Sequence, residues 1–394
     1  MGRMTVMSRL LSDQQAARAA TFGLNADKVE ALLQRAGEEV AAGLLPAAQL
    51  AIARQGEVVL QQNYGAAQDN SLTCIFSATK AVTSAAAWLL FQAGELAEDE
   101  YVANIVPEFG SNHKDQITVG QLFSHTAGFP SAPFAPLDWD DTEKRYARFR
   151  KWWLNWSPGT AFEYHPSSSM WVIAEIIERR SGMGYRDFVR TNVLEPLQLG
   201  DLYVGLPAAQ GARALPCAYV GEAMTEQEYK NLGMPVPPVT EVTESAILSF
   251  NTPAVQAVGV PGGGGFATAA AMTLFYQALL AGGNEHATLW SSETLLDARR
   301  VRSADFTDAM FKKPANRGLG IIVSGDKSRN FRGFGKTNSA DAFGHNGAGG
   351  QLVWADPASG ISFAYLTPGH DRNSVRQGSR GVAISSLAAV CADA

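Results

Sequence analysis

Hydrophobic and polar positions near the start of the chain follow two different periods. Over residues 25–43 the apolar residues recur at the spacing of an α-helix, with Asn25 as the N-cap and Gly43 as the stop. Residues 47–54 and 58–65 are short apolar runs on either side of a Gln-Gly-Glu turn, which is the pattern of a β-hairpin. The start of the chain therefore predicts a helix followed by a hairpin.

The end of the chain repeats these elements in the opposite order. Residues 351–355 and 361–366 flank an Asp-Pro-Ala-Ser-Gly turn and predict a second hairpin, and residues 374–392 predict a closing helix. Between the two ends the pattern is mostly helical and is interrupted by glycine and proline. We therefore predict an α+β fold in which both chain ends build one antiparallel sheet, flanked by the terminal helices, with a mainly helical lobe inserted.

This arrangement predicts two lobes that cannot be separated by one cut in the sequence. Residues 1–86 and 305–394 form the α/β lobe, and residues 87–304 form the helical lobe with long loops that line a pocket. The proline-rich residues 202–261 are predicted to be an irregular excursion. Such a segment is either a wall of a binding cleft or a plain surface insertion.

Composition narrows the class of protein. Of the 394 residues, 46% are hydrophobic and 18% are charged, which favours a compact globular chain over a disordered one. The net charge of −6 is spread without long runs of one sign, so neither a nucleic-acid nor an anionic-lipid partner is expected. No signal peptide or membrane span is readable, and three scattered cysteines fit a reducing compartment, so we expect a cytoplasmic protein. The histidines and cysteines have no metal-ligand spacing, so no metal or other cofactor is expected.

A Ser-x-x-Lys pattern occurs three times, and the sequence around each copy distinguishes them. Residues 111–114 and 324–327 have polar or glycine-rich surroundings, which predict exposed turns. Ser77 and Lys80 instead open an alanine-rich, apolar helix that we expect to be buried, and Lys80 is the only charged residue over residues 70–94. The first copy in the chain is therefore the candidate catalytic element.

Ser77 and Lys80 have the spacing that nucleophilic catalysis requires. Residues three apart share a helix face with Cβ atoms about 5–6 Å apart, so the amine can reach the hydroxyl. Burial and the positive end of the helix dipole both favour a neutral amine, which makes Lys80 a candidate proton acceptor. The unpaired N–H groups of the first helical turn suit a developing oxyanion. The alternative is a lysine that extends from the helix end into solvent.

Five segments of the chain occur in the order seen in serine β-lactamase-like hydrolases. They are Ser-Ala-Thr-Lys at residues 77–80, a Ser-His-Thr-Ala-Gly segment within 122–128, Pro-Gly-Thr with a tyrosine at 158–164, a glycine run at 261–266 and Gly-His-Asn-Gly at 344–350. The chain thus resembles proteins with the fold of class C β-lactamases and penicillin-binding proteins, and is most similar to the family VIII carboxylesterases. The resemblance covers nearly the whole chain.

The resemblance implies roles for several residues. Tyr164 matches the tyrosine that relays a proton between the nucleophile and the leaving group, and the backbone N–H of Ala348 joins that of Ser77 in the oxyanion hole. From the residues alone, Tyr164 could instead pack at the entrance of the helix predicted over residues 167–180. His125 lies in a segment that, by resemblance, supports the catalytic helix.

Two positions depart from the pattern of the family. His345-Asn346-Gly347 replaces Lys-Thr-Gly, and a neutral His345 removes the fixed positive charge that would hold a substrate carboxylate. Pro166 stands where the family has an asparagine, and it has no side-chain amide to bond a substrate amide or the lysine. Both departures favour uncharged esters over penicillins. His345 could alternatively be a satisfied core histidine.

Aromatic residues crowd into the segment before Tyr164. The four tryptophans Trp139, Trp152, Trp153 and Trp156 either wall an apolar pocket or pack in the core, and Trp156 is the candidate for substrate contact. His165 either lines the pocket or faces solvent.

Together these features predict a serine hydrolase that cleaves small or short-acyl carboxylic esters through an acyl-enzyme on Ser77. Lys80 and Tyr164 carry the proton, and the assignment of the base stays open because a coupled pair can share it. The alternatives are a β-lactamase, an amide or D-peptide hydrolase, and an acyltransferase that uses the same acyl-enzyme. A small-molecule ester is the expected partner, and the sequence predicts no oligomeric state.

Overall fold

The computed structural model describes residues 10–237, 242–303 and 305–393 of the chain. The remaining positions lie outside the described residues; they include the first nine residues of the predicted α/β lobe and residues 238–241 of the predicted excursion. The strands are β1 Ala47–Arg54, β2 Glu57–Gly65, β3 Thr73–Cys74, β4 Leu202–Val204, β5 Ala218–Val220, β6 Gly265–Ala267, β7 Ile322–Val323, β8 Phe343–Gly344, β9 Leu352–Asp356, β10 Ile361–Leu366 and β11 Gly369–Asp371. The helices are α1 Asp13–Thr21, α2 Ala26–Ala41, α3 Thr79–Gln92, α4 Val102–Ile105, α5 Val119–Phe123, α6 Thr142–Lys151, α7 Ser168–Ser181, α8 Tyr185–Val189, α9 Glu226–Asn231, α10 Glu244–Ser249, α11 Pro253–Val258, α12 Ala269–Ala281, α13 Ser292–Arg299 and α14 Ser374–Ala389.

The two predicted hairpins lie side by side in one antiparallel sheet, in the order β2-β1-β10-β9-β8-β7. The first and last parts of the chain meet where β1 pairs with β10, with Gln49 opposite Leu366. Alternate residues of β1 face opposite sides: Leu50 joins the core beneath α2, whereas Ala51 joins the core that contains α12. Because both faces are covered, the strands form nearly continuous apolar runs. The predicted α+β class and the sheet built from both chain ends are confirmed.

The two predicted end helices, α2 and α14, begin where the sequence predicts, whereas α1 was not predicted. The Asn25 side chain accepts hydrogen bonds from the backbone N–H groups of Asp27 and Lys28 and thereby caps α2. Asn373 caps α14 in the same way, and α14 ends at Ala389 rather than at the predicted position 392. Helix ends are the least certain part of a sequence pattern, because nothing in the apolar period marks the last turn.

The boundary between the two predicted lobes is less distinct in the described residues than in the sequence. Helix α12 belongs to the predicted helical lobe, yet its residues share a core with β1 and β10 of the sheet. The lobe limits at residues 86 and 305 therefore stay a prediction. No helix among the described residues combines the length and the apolar character needed to cross a bilayer.

Candidate active site

Ser77 lies in a short 3₁₀ turn, Phe76–Ala78, between β3 and α3. The turn holds Phe76 at φ 43°, a left-handed conformation that persists for a bulky residue only where the surroundings fix it. Thr79 Oγ1 accepts a 2.8 Å hydrogen bond from the backbone N–H of Gly265 and so ties the start of α3 to β6. The expectation that Ser77 itself opens the α-helix is corrected: the helix begins at Thr79, because the chain must first turn away from β3.

Lys80 is completely buried on α3, so the alternative of a lysine that reaches solvent is wrong. Its Nζ donates to the backbone carbonyls of Pro166 at 2.7 Å and Gly262 at 2.8 Å, and lies 3.4 Å from Ser77 Oγ. When Lys80 gives up a proton, its two remaining N–H groups serve these two carbonyls and its lone pair faces the serine hydroxyl. The arrangement therefore suits proton transfer from Ser77.

Tyr164 approaches Ser77 from the other side. The phenol O–H donates a 2.9 Å hydrogen bond to Ser77 Oγ. The ring lies beneath two cationic side chains, with Lys80 Nζ at 5.0 Å and Arg317 Cζ at 5.1 Å from its centroid. Tyr164 thus contacts the serine directly instead of only packing at the entrance of α7. The three side chains predicted to be catalytic are brought together.

Pro166 contacts Lys80 through its backbone carbonyl rather than through its side chain. The sequence predicts that this proline has no side-chain amide to bond the lysine, and the backbone carbonyl of Pro166 is instead the closest acceptor of Lys80. A backbone oxygen is available at any residue, and for that reason the loss of the asparagine amide does not remove the contact with Lys80. The predicted loss of a side-chain donor to a substrate amide is unaffected, because proline has no such donor.

The segment after β8 forms the edge of the site opposite α3. A Cβ on Gly347 would lie 2.5 Å from the backbone oxygen of Ile75, so only glycine permits this close approach to the turn that holds Ser77. A cavity lies at Ser77, and its lining includes Ser77, His345, Asn346, Gly347 and Ala348. This placement brings Ala348, the predicted second oxyanion donor, to the same cavity wall as Ser77.

His345 is both buried and part of the cavity wall, so it combines the two alternatives that the sequence left open. Its Nδ1 donates to the backbone oxygen of Asn346 at 2.9 Å, which leaves Nε2 as an acceptor. Burial, together with the charges of Lys80 and Arg317, holds the pKa of His345 well below its usual value. His345 is therefore neutral, as predicted.

Arg317 is a site residue that the sequence analysis missed. Its guanidinium lines the cavity over the rings of Tyr164 and Phe162, 3.5 Å from His345 Nε2. No motif marks it, and the only signal is a single charged residue directly before the apolar run that leads into β7. The fixed positive charge that the sequence analysis considered lost is thus present, but it comes from a different segment of the chain.

His125 and His165 lie behind Tyr164 and line no part of the cavity. His165 Nδ1 donates to Glu163 O at 2.7 Å, its Nε2 accepts from the Phe129 N–H at 3.1 Å, and its own backbone N–H donates to His125 Nδ1 at 3.3 Å. Both alternatives for His165, pocket wall and solvent, are wrong, because the side chain is fully buried. The two histidines support the segment that carries Tyr164, whereas the resemblance implies that the His125 segment supports the catalytic helix.

The tryptophans before Tyr164 do not form the pocket. Trp139 and Trp152 are buried in the core, and Trp153 is 67% exposed. Trp156 packs edge-on against His165, with ring centroids 6.2 Å apart, so it supports the site from behind. Core packing is the correct alternative for Trp139 and Trp152, and the expectation that Trp156 contacts substrate is not supported by its place behind His165.

The cavity at Ser77 has a volume of about 470 Å³. Its apolar walls come from several segments that the sequence analysis did not connect, and their aromatic members include Phe76, Phe134, Phe162, Trp171, Phe250 and Phe331. Phe250, with Ile247 and Val260, belongs to the proline-rich excursion, which is therefore a wall of the cleft. Among the described residues, no group of three His, Cys, Asp or Glu side chains could hold a metal ion.

The other two Ser-x-x-Lys copies differ from each other. Lys327 is exposed, as predicted, although Ser324 of the same copy is fully buried. Lys114 is fully buried, and its Nζ donates to the backbone oxygens of Ser111 and Trp152. Burial lowers the pKa of Lys114 to about 8. The prediction of an exposed turn at residues 111–114 is thus wrong for Lys114. Two backbone carbonyls accept hydrogen bonds from its ammonium group, and the polar residues beside it in the sequence give no sign of this burial.

Burial of His165 makes a pH-dependent prediction for stability. Desolvation lowers the pKa of folded His165 to about 4, whereas an unfolded histidine titrates near 6.5. Between these values the unfolded state binds more protons, so the free energy of unfolding falls on acidification by about 1.4 kcal/mol per pH unit from this group. Urea unfolding at pH 7, 6 and 5 measures the slope, which H165Q should reduce.

The matched control for this prediction is His286, whose side chain is 36% exposed. H286Q should keep the slope of the wild type. An equal slope in H165Q and the wild type would contradict the assignment.

Comparison with known proteins places this geometry in a family. The beta-lactamase family model matches residues 29–385. The esterase/beta-lactamase LipL of Mycobacterium tuberculosis (strain ATCC 25618 / H37Rv) is 26% identical, over 75% of this chain and 69% of LipL. EstA from Arthrobacter nitroguajacolicus Rue61a has a similar structure, with a TM-score of 0.75 and 25% identity over 92% of this chain and 97% of EstA. A family VIII carboxylesterase gives a TM-score of 0.74 and 25% identity, over 92% of this chain and 98% of that one. The chain belongs to the beta-lactamase family of serine hydrolases.

Proposed function

We propose that the protein hydrolyses carboxylic esters through an acyl-enzyme on Ser77. The observation that carries this proposal is the position of Ser77 Oγ between two proton carriers, the Tyr164 hydroxyl at 2.9 Å and Lys80 Nζ at 3.4 Å. A serine hydroxyl is a weak nucleophile unless an adjacent base takes its proton. Here both neighbours are within reach of that proton.

In the first half of the reaction, Ser77 Oγ attacks the ester carbonyl while its proton passes to the Lys80–Tyr164 pair. The backbone N–H groups of Ser77 and Ala348 stabilise the oxyanion that develops on the carbonyl oxygen. The tetrahedral intermediate then breaks its bond to the alcohol oxygen. Tyr164 protonates that oxygen, the alcohol leaves, and the acyl group remains on Ser77.

In the second half, water takes the place of the alcohol. It gives its proton to the Lys80–Tyr164 pair as it attacks the acyl carbonyl, and Ser77 Oγ recovers a proton when the acid leaves. The two carbonyls that accept from Lys80 hold its Nζ at one position through both halves. Because the pair shares the proton, the pH dependence of kcat reports values that belong to both groups together.

Two features favour an ester over a lactam or another amide. Pro166 offers no side-chain donor to a substrate amide, and a simple ester needs none. Among the relatives, the similar family VIII carboxylesterase supports an ester, whereas LipL is named for both activities, esterase/beta-lactamase. The cavity volume of about 470 Å³ lies within the usual range for small-molecule sites and suits a small or short-acyl ester.

A substrate panel tests the proposal. We expect 4-nitrophenyl butyrate to be hydrolysed with a kcat/KM at least about 100-fold above that of nitrocefin, because only the lactam loses a side-chain donor at position 166. A slow phosphonate ester should add one phosphonyl group to Ser77, detected by intact-mass spectrometry. Preferential turnover of nitrocefin, or product release that rises with an added acceptor alcohol, would instead favour the β-lactamase or the acyltransferase alternative.

A further inference from the structure

Arg317 has a cationic group in the cavity but no anionic partner. Other arginines with buried side chains form ion pairs, such as Arg302 with Glu98 and Arg145 with Glu175. Arg317 makes no ion pair among the described residues. Within the described part of the chain, its side chain makes one hydrogen bond, the long 3.5 Å contact with His345 Nε2, and its buried Nε has no partner. The side chain is only partly buried and faces the cavity, so an anion there would supply the missing acceptor.

Asp308 also lines the cavity, but it forms no ion pair with Arg317. Asp308 Oδ1 accepts from the backbone N–H groups of Met310 and Phe311, so it is bound within its own turn. Arg332 also lines the cavity, but its charge is paired with Asp326 at 2.7 Å. The guanidinium of Arg317 therefore has donors left for a ligand.

Arg317 is held in a fixed position. Its backbone N–H donates to Ser303 Oγ at 3.0 Å, and its carbonyl accepts from the Arg302 N–H at 2.7 Å. The guanidinium lies over two aromatic rings, 5.6 Å from the centroid of Phe162 and 5.1 Å from that of Tyr164. A guanidinium carries five donors in a planar fork that matches a carboxylate. A fork fixed in this way loses little entropy when it binds one.

The position of Tyr164 indicates which part of an ester meets Arg317. In the proposed mechanism Tyr164 protonates the alcohol oxygen, so the alcohol portion must lie along the tyrosine, on the side of His345 and Arg317. Another part of the cavity is apolar. There the rings of Phe134 and Trp171 stack with their centroids 4.4 Å apart, and the rings of Phe76 and Phe250 pack edge to face with their centroids 5.3 Å apart. The acyl portion then has an apolar wall, and the alcohol portion has a cationic one.

We propose that Arg317 is a binding residue for a carboxylate on the alcohol portion of the substrate, and that the preferred substrates are esters of hydroxy acids. This inference rests on the proposed esterase function and reverses one expectation from the sequence, which favoured uncharged esters. Neutral His345 leaves room beside the guanidinium without adding a competing charge. The substrate class is thus set by an arginine outside the five family segments.

Two esters with the same acyl group test the inference. The substrates are 3-(butyryloxy)benzoate, which has a carboxylate on its alcohol portion, and its neutral methyl ester. We expect the wild type to favour the acid by about 10- to 100-fold in kcat/KM, the worth of a charged hydrogen-bonded pair. R317Q should reduce this preference at least tenfold, mainly through KM. R317K, which keeps the charge without the fork, should retain part of it.

Lys313 supplies the matched control. It also lines the cavity, and K313Q changes the charge by the same unit while leaving the fork of Arg317 in place. The preference for the acid should persist in K313Q. A wild type without this preference would overturn the inference. An equal loss of kcat/KM on both esters in R317Q would also overturn the inference, because Arg317 would then act through the phenol of Tyr164.

A binding measurement keeps this test separate from the proposed function. Calorimetric dissociation constants for both esters are compared in S77A and in S77A/R317Q, where no turnover is needed. The acid should bind more tightly than the methyl ester in S77A, and the second substitution should remove the difference. If the wild type hydrolyses neither ester, the esterase proposal fails, whereas the inference about Arg317 is overturned only if S77A shows no preference in binding.

Discussion

The Ser77→Ala variant is expected to lose at least about 10⁴-fold in kcat for 4-nitrophenyl butyrate, because no other atom of the site can form the acyl-enzyme. The substitution removes one oxygen and leaves the hydroxyl of Tyr164 and the amine of Lys80 in place. Folding should therefore be nearly unaffected. Stopped assays on purified protein, with intact-mass spectra after phosphonate treatment, measure both the rate and the missing adduct.

The control for this substitution lies on α3, the helix that follows Ser77. Ser84 is fully buried on α3, its hydroxyl has no hydrogen-bond partner, and it does not line the cavity. S84A removes the same atom from a position further along α3 and should keep kcat close to the wild type. If S77A retained wild-type turnover while S84A lost it, Ser77 would not be the nucleophile.

The Lys80→Met variant is the second change with a large expected effect. Methionine fills a similar space but can neither accept the proton of Ser77 nor donate to the two carbonyls. General acid–base groups contribute about 10²–10⁴-fold, and we expect a loss in kcat at the upper end because the proton has one fewer carrier in both halves of the reaction. Removing the donors should also cost about 1–3 kcal/mol of stability for each unsatisfied carbonyl.

Lys114 separates the catalytic effect from the structural one. It is the other lysine that is fully buried among the described residues, and it too donates to two backbone carbonyls, in a copy of the same Ser-x-x-Lys spacing. K114M should lower stability, measured by urea unfolding, and leave kcat little changed. If both variants lost activity only in proportion to the fraction unfolded, Lys80 would be structural rather than catalytic.

The parts of the molecule that could be predicted are those in which neighbouring residues carry the information. The hairpins at both ends follow from short apolar runs around turns, and Lys80 stands out because it is the only charge in a long apolar stretch. Arg317 could not be found in this way. It reaches the site through a fold that joins segments more than two hundred residues apart, and nothing in its own neighbourhood reports that contact.

The contacts made by backbone atoms could not be predicted from the sequence either. The carbonyl of Pro166 accepts from Lys80 although the side chain argues for a lost partner, and the carbonyls around Lys114 bury a lysine that its polar neighbours place in solvent. Side-chain identity is what a sequence displays, whereas a carbonyl is present at every position. Its direction is set by the local path of the chain, which only the folded structure gives.

The pairing of β1 with β10 determines how late in synthesis the active site can fold. The turn that holds Ser77 is synthesised early, but the segment that meets it at Gly347 and the strand that completes the sheet come near the end of the chain. A ribosome-bound chain therefore exposes the first hairpin until almost all residues have emerged. Long-range pairing of this kind slows folding, so the reactive serine gains its surroundings only after synthesis is nearly complete.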